Sequence, residues 1–187
     1  MKLLLLRCPA CQRPLKANDH DLVLLCPACF AAVAIQDDGL SPAKIQFAQP
    51  SNSPAEPVEW RPYWIFNGQV TLHSREVQSK DGFFSNNSAA EAEKLWGQTR
   101  RLYVPAWELS LAAVQEIGCR LIMAQPDYVP VAQPAAPNLL PAVLSAADGQ
   151  KMLEFIVTAI EARRPDMLRT LQFSIQINDV ALWALPE

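Results

Sequence analysis

Glycine is scarce in this chain of 187 residues, with six, and histidine scarcer still, with two. The glycines, Gly39, Gly68, Gly82, Gly97, Gly118 and Gly149, never fall two apart, so there is no G-x-G turn of the kind that brings backbone against a nucleotide. No phosphate loop and no nucleophile elbow occurs either. Charge is modest, 16 Lys and Arg against 19 Asp and Glu for a net −3, which argues against a protein whose main business is neutralising phosphates. Long apolar runs are missing too. The richest stretch, from Leu109 to Ala124, is broken by Glu116 and Arg120, and nothing reaches the roughly 18 residues of a membrane span. The opening leucines, Leu3 to Leu6, fall short of the roughly 7–15 residues of a signal-peptide core. Arg7 then occupies the place before Cys8 where a lipoprotein signal wants a small residue. The expectation is a cytoplasmic protein with reduced cysteines, whose pattern is then metal-binding rather than disulfide-forming.

What the chain does have is proline, 16 residues in clusters, and 50% hydrophobic residues, enough for one ordinary core and a small satellite. Two proline-rich stretches divide it. Residues 39–59, with four prolines from Pro42 to Pro57 and no apolar periodicity, read as a linker. Residues 126–141, with five prolines, read as an extended segment across the surface of a domain over 60–187. Residues 1–38 stand apart as a first unit.

That first unit repeats the tetrapeptide CPAC, at Cys8–Cys11 and Cys26–Cys29, in the pattern C-x2-C-x14-C-x2-C. Two-residue spacing turns both thiolates of a pair towards one ion, and two facing pairs supply the four-sulfur tetrahedral shell that zinc accepts. "KLLLLR" and "DLVLL" read as strands entering the two knuckles, and "AAVAI" as a third strand, which makes a zinc ribbon. So short a unit buries too little to fold alone, whereas a structural zinc contributes roughly 10–16 kcal/mol of apparent binding free energy. Iron in a rubredoxin-like site uses the same shell, and a thiol–disulfide role for either pair is the other chemical alternative. Arg7, Arg13 and Lys16 lie beside the knuckles to offset the −2 charge of a divalent ion with four thiolates.

The segment "CPACQRPLKANDHDLVLLCPAC" followed by "IQDDGL" resembles the small zinc-ribbon activator subunits of tRNA and protein methyltransferases and their short bacterial relatives. The matching features are the paired knuckles, Pro14 and Leu15 after the first, the fourteen-residue gap, and an exit at Ile35, Asp38 and Gly39. The resemblance covers the first forty or so residues. It implies a ribbon that binds a partner protein, with Cys8, Cys11, Cys26 and Cys29 as zinc ligands.

The remainder reads as a mixed α/β (α+β) domain. "WRPYWIFNGQVTLHSREV" alternates as a strand with Gly68 at a bulge or turn, and "RRLYV", "CRLIM" and "LQFSIQIND" read as further strands. Ser88 and Glu91 form a capping box for one helix; Pro105 opens a second, lined by Trp107, Leu111 and Val114 and ended by Gly118. Ser145 and Asp148 cap a third, with Leu153, Ile156, Val157 and Ile160 as its stripe, Arg163 and Arg164 at its end and Pro165 beyond.

No catalytic constellation emerges. His20 reads as a solvated turn residue, His73 as a satisfied strand histidine, Cys119 as a buried filler, and Glu154 with Glu161 as the wet side of the third helix. Trp60, Tyr63, Trp64 and Phe66 with Arg61 make either a core or a stacking platform for single-stranded nucleic acid. Residues 1–36 carry a charge of +2, about zero with the metal centre, which leaves the ribbon no basic footprint. The expected function is a non-catalytic adaptor or assembly protein that binds partner protein subunits within a larger complex. A nucleic-acid-binding ribbon protein and an enzyme of unrecognised class with an accessory ribbon are the rivals.

Overall fold

Alternating burial organises the two longest strands, and the computed structural model, which describes residues 6–52, 59–78 and 90–186, is built around them. Strand β5 runs over Trp60–Val77 and β8 over Leu168–Pro186. They pair antiparallel from Trp60↔Pro186 to Val77↔Leu168. Gly68 sits at the first register shift, as its place in the alternation suggested; a Cβ there would lie 2.4 Å from the Gln176 carbonyl oxygen. β4 (Gln46–Pro50), β6 (Arg100–Pro105) and β7 (Tyr128–Pro130) complete a five-stranded sheet in the order β6-β5-β8-β4-β7.

Laid flat, the outer strands of such a sheet would stand about 19 Å apart. Here Tyr103 of β6 and Tyr128 of β7 meet with ring centroids 6.4 Å apart, so the sheet is strongly curled. Helix α1 (residues 90–96), α2 (Leu111–Ala124) and α3 (Ala146–Ala162) pack against it. Ser145 caps α3 by accepting from the Asp148 amide, and Leu153, Ile156, Val157 and Ile160 are buried as their spacing requires. The mixed α/β class holds. Ser88 and the expected capping box lie outside the described residues.

The N-terminal unit carries β1 (Val23–Leu25), β2 (Ala32–Gln36) and β3 (Gly39–Pro42) in a three-stranded antiparallel sheet. "DLVLL" and "AAVAI" are strands, as read; most of "KLLLLR" lies outside the described residues. The two-residue Asp37–Asp38 turn joins β2 to β3 and delivers the chain into Gly39 at φ 143°, a value that suits glycine.

Five expectations need correction. Residues 39–59 are not simply a linker: 39–42 form β3, and 46–50 form β4, wedged between β8 and β7. "CRLIM" is helix, not strand, because α2 continues through Gly118 to Ala124. Gly118 does not end the helix; it lets α2 approach α3, and a Cβ there would lie 2.6 Å from Ile156 Cδ1. Pro105 ends β6, and α2 begins after Ser110, whose hydroxyl accepts from the Ala113 amide.

The fifth correction concerns Glu161. It is no wet-side residue but fully buried, while Glu154 remains exposed. Its carboxylate accepts from Trp96 Nε1 (2.8 Å), Arg75 Nε (2.8 Å) and Arg164 Nε (2.9 Å). Arg75 reaches on to the buried Asp166 with two nitrogens, which raises the guanidinium pKa against the opposing effect of burial. The network ties the far end of the β5–β8 pair to α1 and to the end of α3. Arg75→Met would leave two buried carboxylates without their main partner. Unfolding in urea should show a loss of about 3–5 kcal/mol; a loss below about 1 kcal/mol would mean that water reaches the acids.

Candidate metal centre

The two knuckles are built by the same backbone turn, eighteen positions apart. In the first, the Cys8 amide donates to the Arg13 carbonyl (2.9 Å) and the Gln12 amide to the Cys8 carbonyl (2.9 Å). In the second, Cys26 donates to Ala31 (2.9 Å) and Phe30 to Cys26 (2.8 Å). The residue after each second cysteine turns left-handed, Gln12 at φ 62° and Phe30 at φ 56°, where glycine would be unstrained. Two side-chain-bearing residues held there cost energy that the rest of the site must offset.

The four sulfurs converge. Cys8 and Cys29 lie 3.7 Å apart, Cys11 and Cys26 also 3.7 Å, and all four ligand atoms are within 4.8 Å of one another. A tetrahedral shell with metal–sulfur bonds of about 2.3 Å has sulfurs about 3.8 Å apart. A disulfide needs about 2.05 Å, and all the cysteines are free. Leu15, Leu24 and Val33 pack behind Cys8 and Cys26 as a small core. The donor set fits a thiophilic ion of tetrahedral habit and has no vertex to spare.

Ionisation of the sulfurs points the same way. Burial resists a charge on Cys26, but amide hydrogens of Ala28 and Cys29 and the neighbouring thiols outweigh it and lower its pKa to about 7. Cys29 is pushed up to about 12: the Ala31 amide favours its thiolate, but desolvation and the sulfurs of Cys11, Cys8 and Cys26 prevail. Four thiolates in this volume require a cation among them. Arg7, beside the first knuckle, donates instead to the Gln12 carbonyl (3.2 Å).

The unit is fixed to the large sheet through backbone. Val23 donates to the Ala142 carbonyl (3.1 Å) and Ala142 to the Val23 carbonyl (2.7 Å), over an apolar patch of Val23, Ala106, Ala142 and Leu182. Gln133, in the second proline-rich stretch, donates from Nε2 to the Phe30 carbonyl (2.7 Å), directly behind the second knuckle.

The other candidates stay apart from this centre. His20 is exposed, and His73 sits beside Ser174 Oγ (Nε2–Oγ 2.9 Å) on the strand pair. Cys119 is buried on α2, with its sulfur 3.7 Å from the Ile156 carbonyl, and burial raises its pKa. Trp60, Tyr63 and Phe66 are buried in the core, and Trp64 packs half-buried against it and spends its indole N–H on the Leu144 carbonyl (2.7 Å). No local pattern marks Glu161 or Asp166 as a buried acid, because their partner Arg75 is on a distant strand. Compared with known proteins, the chain matches no family model, no curated protein and no solved structure.

Loading the reduced protein with a divalent ion at pH 7 should release protons, Cys29's among them, because its raised pKa keeps that thiol protonated until a cation arrives. Calorimetric titration in buffers of different ionisation enthalpy measures this. Affinity should therefore fall as the pH is lowered, and binding with no proton release would exclude thiolate ligation.

Proposed function

We propose that Cys8, Cys11, Cys26 and Cys29 hold one structural zinc ion in a ribbon, and that the protein is a non-catalytic adaptor or assembly protein for partner protein subunits. The observation that carries this reading is the closed four-sulfur set: all four vertices of the shell come from the chain, so the ion has no position for water or substrate. Zinc suits the site better than a redox metal on availability and on its indifference to exact angle. When bound, it neutralises the thiolates and holds the two knuckles at fixed separation; the chain's own residues do the rest. Pro27, Ala28 and Cys29 leave one knuckle tip exposed, and Ala10 is exposed on the other. They form a small, weakly polar surface of the kind that meets protein rather than phosphate.

The fixed seat of the ribbon on Ala142 favours a rigid two-part docking surface over a tethered, independent module. The nucleic-acid reading is less well supported, since three of the four aromatic residues that would stack on bases, Trp60, Tyr63 and Phe66, are packed inside.

Elemental analysis of protein purified under reducing conditions should find one zinc per chain. Cys11→Ser should lose the ion and unfold the N-terminal sheet while leaving the five-stranded sheet folded. Captured from lysate with the native protein as bait, a single stoichiometric protein that is absent with Cys11→Ser bait supports the adaptor; salt-sensitive nucleic acid in its place would overturn it.

A further inference from the structure

Strand β8 meets β4 only at Trp183 and Ala184. From Leu168 to Leu182, among the described residues, its ladder runs to β5 alone. Sheets in proteins that stay monomeric blunt such an edge with lysine, proline or a bulge. Here the register shifts leave Arg169 and Asn178 as extra residues on β8, and the run between them, TLQFSIQI from Thr170 to Ile177, has no charge, proline or glycine. Five consecutive residues, Leu171 to Ile175, line a groove of about 350 Å³ whose other wall is Gln150 and Glu154 of α3. Side chains of both strand faces border it, so among the described residues the backbone edge itself is open.

We propose that this edge pairs antiparallel with the same edge of a second copy, joining the two five-stranded sheets across a twofold axis. An antiparallel ladder has its local twofold axes through directly opposed residues, so a symmetric pair must set one residue against its own copy. With the axis at Ser174, Phe173 faces Ile175, Gln172 faces Gln176 and Leu171 faces Ile177. Apolar side chains then meet apolar ones on the α3 side, and amides meet amides on the other. Beyond Leu171 and Ile177 both copies carry their extra residues, and there Arg169 of one copy comes beside Asp179 of the other at each end. Both are exposed, and among the described residues Asp179 has a long contact from Asn67 Nδ2 (3.5 Å). Moving the axis by one residue sets Arg169 against Ile177 or Ala181 and loses both ion pairs. A foreign strand would have to supply an acid and a base at this spacing; a second copy already carries them. The pairing goes beyond the adaptor reading and does not involve the metal.

Sedimentation equilibrium of the full metal-loaded chain over a range of concentrations reads the association. A dimer is expected. Arg169→Asp or Asp179→Arg alone puts like charges together at both ends and should weaken the dimer about tenfold or more. The double exchange Arg169→Asp with Asp179→Arg should restore it. Both sites are exposed, so circular dichroism should find every variant folded. Hydrogen exchange of the amides of residues 170–177 gives a readout free of substitution, and should slow as concentration rises. A monomer throughout, a dimer indifferent to the single reversals, or concentration-independent exchange at these amides would each overturn the proposal.

Discussion

The ladder between β5 and β8 is the constraint on which the large sheet depends. Its seventeen residue pairs join segments about a hundred positions apart, so almost the whole second half of the chain is the loop it closes. Each other strand of the sheet is added to this pair, β6 on one flank and β4, with β7 beyond it, on the other. Closing so long a loop costs entropy before any contact returns it, and contacts of this separation form late in folding. The local elements inside the loop offset that cost. Helix α3 has its own cap and buries an unbroken stripe, so it can stand on the strands as they meet.

The far end of the ladder, beyond the reach of β6 and β4, is where the fold would fray. Arg75, Glu161 and Asp166 sit there, and their arrangement is that of a clamp. Isolated, each would be costly to bury; together, with Arg164 and Trp96 supplying the remaining donors, they satisfy one another. Hydrophobic residues could have filled the same volume, but ion pairs with this geometry accept only one register of β5 against α3. Specificity of register matters most on a strand pair that carries three irregularities.

What could be read in the sequence was what is local. The doubled CPAC named its own chemistry because both ligands of each pair lie within one turn. The alternation of Leu171, Phe173, Ile175 and Ile177 and the Ser145–Asp148 cap were equally legible, since the partner of each signal is two to four residues away. Strand β4 was not. "QFAQP" buries only Phe47 and Ala48 fully, and what makes it a strand is its place between β8 and β7, far along the chain. Gly118 misled because a glycine near the end of an apolar helix resembles a stop, whereas this one exists for the passage of Ile156. Glu161 misled for a related reason: its partner Arg75 is 86 residues upstream, and no pattern on the helix alone distinguishes a solvated acid from a buried one.

The metal centre and the large sheet are held by different forces, yet they are not independent. Among the described residues the N-terminal sheet has a core of five buried residues, Cys8 and Cys26 among them, so the sulfurs that could hold an ion are also its packing. Without an ion, the thiols crowd each other, Gln12 and Phe30 keep their strained turns, and little remains to hold β1 to β2. But β1 is also the strand whose Val23 exchanges hydrogen bonds with Ala142, and Ala142 lies three residues before the cap of α3. An ion held by the four sulfurs would therefore also steady a backbone partner of the segment that leads into the principal helix of the core. The coupling is short, two backbone hydrogen bonds and three residues of chain, which makes the N-terminal unit a brace on the body as well as a surface of its own.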